Sequence, residues 1–93
     1  MTVEWTTTAL LNLADILDYV AEESPMGAAE LSAEIQNKAA RIERDPNLYR
    51  AGRVRGTREC VVTENYLMVY RVTPDAVQIL NVLHTRQQWP KST

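Results

Sequence analysis

Residues 56–90, GTRECVVTENYLMVYRVTPDAVQILNVLHTRQQWP, hold three apolar runs in which β-branched and aromatic residues are frequent, parted by two short turn signals, Glu64-Asn65 and Pro74-Asp75. Runs of that length between such turns read as a three-stranded antiparallel meander. Side chains alternate across a strand. In the last run this puts Val77, Ile79 and Leu83 on one face and Ala76, Leu80 and Val82 on the other. In the middle run Tyr66, Met68, Tyr70 and Val72 point one way, Leu67 and Val69 the other. Neither face suits water. One cover is expected from this chain and a second from a partner, because apolar area left exposed forgoes about 25 cal/mol per Å² of burial.

Upstream, Thr2 to Trp5 fits a short leading strand with Val3 and Trp5 on one face, placed at an edge or beside the last strand; the threonines after it can break and cap. From Ala9 the spacing turns helical. Leu10, Leu13, Ala14, Leu17, Val20 and Ala21 form a stripe, and Asn12, Asp15, Asp18 and Glu22 fall away from it. The helix is expected to run to about Glu23, where Ser24-Pro25 supplies an N-cap and a first-turn proline for a second helix. There Ala28, Leu31, Ile35, Ala39 and Ile42 recur at three- and four-residue steps, with Glu34 and Lys38 a favourable pair. Asp45-Pro46 ends it, since the residue before proline is pushed out of the α region.

The reading is therefore a single α+β domain, residues 1–93, in the order β-α-α-β-β-β: strand 1–5, antiparallel helix hairpin 8–45, arginine-rich loop 46–57, and antiparallel meander with C-terminal tail 58–90. The hairpin is the obvious cover for one face of the sheet.

Ten Lys and Arg against twelve Asp and Glu leave a net charge of −2, so no overall field draws the chain to nucleic acid or to an anionic membrane. Its distribution is uneven: the first 45 residues hold nine acids and three bases, the remainder three acids and seven bases. Cys60 is the only cysteine, which excludes an internal disulfide and a thiolate metal cluster and reads as a small apolar strand residue in a reducing compartment. The opening MTVEWTTT has no signal-peptide pattern and no apolar run is long enough to span a bilayer, so a cytoplasmic protein without membrane contact is expected.

Arg50, Arg53, Arg55 and Arg58 crowd into nine residues. Guanidinium groups pair bidentately with carboxylate or phosphate. An acidic protein partner, a nucleic acid or plain solvation would each accommodate them. His84, the only histidine, stands two residues before Arg86; the pair could move a proton and steady a phosphate, or His84 could be a strand-end imidazole satisfied by backbone. Trp89-Pro90 closes the fold as a plug or a recognition anchor. No metal set, nucleophile elbow or glycine-rich phosphate loop is present, so no cofactor is expected.

Three segments carry a resemblance: Arg53-Val54-Arg55-Gly56-Thr57-Arg58-Glu59, Asn65-Tyr66-Leu67-Met68-Val69-Tyr70-Arg71-Val72, and Val82-Leu83-His84-Thr85-Arg86-Gln87-Gln88-Trp89-Pro90. In that order and spacing they resemble the ParE/RelE toxin superfamily of bacterial toxin–antitoxin modules, most closely its ParE branch. The resemblance implies a bacterial toxin that poisons DNA gyrase and blocks replication. It also implies a ParD-like antitoxin with an acidic, amphipathic C-terminal segment, and operator DNA contacted only through that antitoxin. Antitoxin contacts are expected at Arg50, Arg53, Arg55, Arg58, Leu67, Val69, Leu80 and Val82, and gyrase contacts around Arg86 and Trp89. The alternative is the RelE branch, which cuts messenger RNA on the ribosome and would use Arg86, His84 and Arg71. Members of that branch tend to carry an arginine directly after the tyrosine of the middle strand, where this chain has Leu67.

Overall fold

The computed structural model describes residues 2–90; Met1 and residues 91–93 of the expected domain lie outside the described residues. The elements are β1 (Thr2–Trp5), α1 (Thr7–Glu23), α2 (Pro25–Arg44), β2 (Arg50–Ala51), β3 (Arg58–Thr63), β4 (Tyr66–Val72) and β5 (Ala76–His84). They form one sheet in the order β1-β5-β4-β3-β2, antiparallel except that β1 lies parallel to β5, with Val3 opposite Val77. The helix hairpin covers one face, burying Ile35 and Ile42 of α2 against Met68, Tyr70, Val77, Ile79 and Val82 of the sheet. The expected α+β architecture is the observed one; the short β2, inside the stretch read as loop, is an addition.

The helix boundaries follow from local chemistry. Ser24 ends α1 through its N–H, which donates to the Val20 carbonyl, and starts α2 through its hydroxyl, which accepts from the Gly27 N–H at 2.9 Å. Pro25 follows at a position whose N–H would have no helical partner. At the far end Arg41 and Arg44 sit in the last turn, where the helix dipole favours cations.

Two departures from the expected pattern share one cause. Val69 pairs with Asn81 but Tyr70 pairs with Ile79, so Leu80 is an extra residue, a β-bulge in β5. The carbonyls of Ile79 and Leu80 both turn to Thr6, meeting its N–H and its hydroxyl at 3.1 Å each. Beyond the bulge the alternation is inverted. Val82, read as an outward antitoxin contact, is 1% exposed in the core beneath the helices, and Leu83 faces outward beside Leu67.

The same bulge fixes α1. Because β1 stops at Trp5, the strand edge at Val82 has no neighbouring strand, and Asn12 takes that place: its Oδ1 accepts from the Val82 N–H and from Asn81 Nδ2, both at 3.1 Å. Asn12 therefore faces the sheet and does not fall away from it. The stripe packed on the core becomes the buried Ala9 with the partly buried Leu13, Ile16, Leu17 and Val20, and Leu10, placed in the core by spacing alone, is 52% exposed.

Thr6 joins these features, since its hydroxyl donates to Leu80 and accepts from the Ala9 N–H as the N-cap of α1. Thr6→Ala is expected to cost about 1–2 kcal/mol. A thermal melt would show this as a fall of roughly 4–8 °C per kcal/mol in a domain of this size.

The second face of the sheet is not an open apolar surface awaiting a partner. Leu67, Val69 and Leu83 at its centre are already buried, packed with Leu80 and with Trp89 of the chain's own tail. Toward β1 the face is polar: Arg71 Nε and Nη2 donate to Gln78 Oε1 at 3.0 and 2.9 Å, and Gln78 Nε2 donates to Glu4 at 3.5 Å.

Candidate functional site

Two regions hold the residues singled out by sequence. The first is the arginine-rich loop, whose frame is set by its own backbone. The Tyr70 hydroxyl donates to the Pro46 carbonyl at 2.7 Å, and Arg58 Nη1 donates to the carbonyl of Tyr49 at 2.6 Å. The Gly52 N–H donates to the Thr57 carbonyl at 2.8 Å, and a Cβ at Gly52 would collide with the Thr57 hydroxyl. Gly56 turns the chain with φ +83°, a conformation that costs a side chain dearly.

At the centre of this region lies Glu59, which sequence reasoning passed over. It is 2% exposed, faces outward beside Val69, and its carboxylate holds the loop from two sides. Oε1 accepts from Arg50 Nη2 at 3.3 Å; Oε2 accepts from the Arg53 N–H at 3.0 Å and lies 3.4 Å from Arg53 Nε. The available signal was a lone carboxylate within an otherwise apolar strand run, a few residues after the two arginines that meet it.

This rearranges the expected cluster. Arg50 and Arg53 spend part of their donor capacity on Glu59, and Arg58 is bound to the loop carbonyls. Arg55 makes no hydrogen bond or ion pair among the described residues, so its whole guanidinium fork is free for an incoming carboxylate or phosphate. Arg50 and Arg53 remain solvent-accessible on one side. The result is a cationic rim braced by a buried anion.

The second region is the C-terminal turn. His84 Nδ1 accepts from the Arg86 N–H at 3.0 Å, which puts the proton of the neutral ring on Nε2. The ring stands edge to face with Tyr66, centroids 5.2 Å apart. Asn65 and Glu64 hold the turn by accepting, through their carbonyls, from the N–H and hydroxyl of Thr85. The Arg86 side chain is exposed. Trp89 packs over the outward cluster, its Nε1 buried with no acceptor among the described residues.

His84 and Arg86 are thus neighbours, but Arg71 does not join them. It projects from the outward face, tied to Gln78, five residues along β4 from the Tyr66 that pairs with His84. At about 3.3 Å per residue that is roughly 17 Å. Cys60 is fully buried between sheet and helices, and burial pushes its thiol above the ordinary range. It is a packing residue. No helix among the described residues is long and apolar enough to cross a membrane.

Comparison with known proteins agrees with this geometry. The family profile described as the ParE toxin of the type II toxin–antitoxin system parDE matches residues 3–89. Y4kP of Sinorhizobium fredii, whose name designates a toxin, is 37% identical over 90 residues, covering 96% of this chain and 93% of that protein. Toxin RelE2 of Caulobacter vibrioides is 30% identical over 82 residues, covering 88% and 92%. Among solved structures, the chromosomal ParDE system of P. aeruginosa superposes with a TM-score of 0.79 at 25% identity, over 90% of this chain and 95% of that one. The RelBE2 toxin–antitoxin complex of Mycobacterium tuberculosis gives 0.63 at 26%, over 89% and 95%. A profile spanning nearly every described residue, on the same order of strands and helices, makes this chain a member of the ParE toxin family of type II toxin–antitoxin systems.

Proposed function

We propose that this toxin arrests growth in the bacterial cytoplasm by contacting DNA gyrase and blocking replication. A cognate, ParD-like antitoxin with an acidic amphipathic segment holds it inactive. The observation that carries the gyrase reading is the separation of Arg71 from His84 and Arg86. Cutting RNA needs a proton acceptor for the 2′-hydroxyl and positive charge converging on one phosphate. Here two of the three candidate groups are together, and the third is engaged on the opposite face. Leu67, where ribonuclease members tend to place an arginine, is buried in the outward apolar cluster with Trp89.

The ribonuclease reading keeps one observation in its favour, the adjacency of His84 and the exposed Arg86, together with the likeness to a relative named RelE2. Inducing the chain without antitoxin separates the two. Arrest of DNA synthesis before translation, with supercoiling by purified gyrase inhibited and ribosome-bound messenger intact, is expected. Translation stopping first, with messenger cleavage that Arg86→Ala removes, would overturn the gyrase reading.

For the antitoxin, the accessible contacts are the Arg50, Arg53 and Arg55 rim and the half-buried Leu80. Arg58 lends its charge from beside the loop, while Leu67 and Val69 are buried with Trp89 packed against them. Electrostatic steering would bring the acidic segment to the rim. Operator DNA is reached through the antitoxin.

A further inference from the structure

At the end of β3 away from the arginine loop, two clefts open on either side of Tyr66. The larger, about 430 Å³, lies between the start of α2 and the β3–β4 turn. Its walls carry Glu30, Glu34 and Glu64 above an apolar floor of Val20 and Leu31. The smaller, about 300 Å³, lies between α1 and the end of β5 and is lined by Asp15, Ile16, Tyr19 and His84.

Tyr66 is the wall the two clefts share. Its ring is largely buried, the residue being 9% exposed, and its hydroxyl stays accessible and makes no hydrogen bond with any described residue. Asp15, Glu30, Glu34 and Glu64 likewise form no ion pair among the described residues. Tyr19 at the rim is 67% exposed, and Met26, beside Gly27 of the larger cleft, is 72% exposed.

We propose that this double cleft is a docking site for a polypeptide segment presenting an arginine or lysine next to an aliphatic side chain. The cationic head enters among Glu30, Glu34 and Glu64, where the Tyr66 hydroxyl can accept a hydrogen bond. The methylene stem lies on Val20 and Leu31, as long cationic side chains bury their stems while keeping the head polar. The neighbouring aliphatic group packs on Tyr19 and Ile16. An acidic segment is excluded by three carboxylates and is drawn to the arginine rim instead, so the two ends of the domain select opposite charges. A partner carrying both signs could then lie along the molecule in one direction only. The site is independent of the gyrase reading.

The test is titration of the isotopically labelled full chain with a short blocked peptide of alternating leucine and arginine, and with its leucine–glutamate counterpart, followed by NMR. Saturable shifts at Glu30, Glu34, Glu64 and Tyr66 with the first peptide, and none there with the second, are expected. The double substitution Glu30→Gln and Glu34→Gln should weaken binding about tenfold, through loss of two charge-assisted contacts. Tyr66→Phe, which keeps the ring, should weaken it less. Both variants are checked for native spectra beforehand. Shifts centred on the arginine loop, equal binding of both peptides, unchanged affinity in the double variant, or no binding would each overturn the proposal. The gyrase supercoiling assay would be unaffected by any of these results.

Discussion

Val82→Asp will unfold the domain, while Leu80→Asp, two residues away, will leave it folded and weaken the antitoxin complex. Val82 is 1% exposed among Met68, Tyr70 and Ile79, with no cation among the core residues around it. An unpaired carboxylate there must be either desolvated or neutralised, at a cost of several kcal/mol. Loss of the isopropyl packing adds to this, and domains of this kind have only about 5–15 kcal/mol of stability in total. Leu80 sits at the bulge on the outward side, half-buried against Leu67 and Leu83, where a carboxylate can reach water. Its replacement should cost about 1–2 kcal/mol of lost burial. Circular dichroism melts check the first claim and antitoxin titration the second. A folded Val82→Asp variant would mean that the strand does not switch faces at Leu80.

Asn12→Ala should be nearly as informative. Removing Oδ1 leaves the Val82 N–H without an acceptor in a part-buried place, at about 1–3 kcal/mol, and frees Asn81 Nδ2 as well. Asn12→Asp retains an oxygen for both donors and should keep most of the stability. Amide hydrogen exchange at Val82 should quicken in the alanine variant and stay slow in the aspartate one. Equal stability of the two would show that the contact contributes little.

The elements were legible because their signals are local. Ser24-Pro25 and Asp45-Pro46 punctuate the helices, and apolar runs parted by Glu64-Asn65 and Pro74-Asp75 mark β3, β4 and β5. Facing was not legible, because alternation assumes a strand without insertions, and one extra residue at Leu80 inverts all that follows. Asn81, a polar residue interrupting that run, was the only local hint. On α1 the apolar residues cover enough of the circumference for two stripes to be credible, and the choice was made by Thr6 and Asn12 reaching across to β5. The candidate site divided the same way. Four arginines in nine residues were plain, but that Glu59 would sit between Arg50 and Arg53 depends on β2 folding back along β3. The clefts at Tyr66 draw on both helices, the β3–β4 turn and the end of β5, and no window of sequence contains them.

The parallel pairing of Thr2–Trp5 with Ala76–Ile79 orders events during synthesis. The first strand to leave the ribosome must wait for the last, while the helix hairpin, built from local contacts, can form early. A translation product released before Ala76 would leave Val3 and Trp5 unmated and Thr6 without its anchor, and α1 would lack β5, the strand it packs on. Incomplete molecules of this poison would therefore be proteolytic debris, and toxicity would begin only with the finished polypeptide.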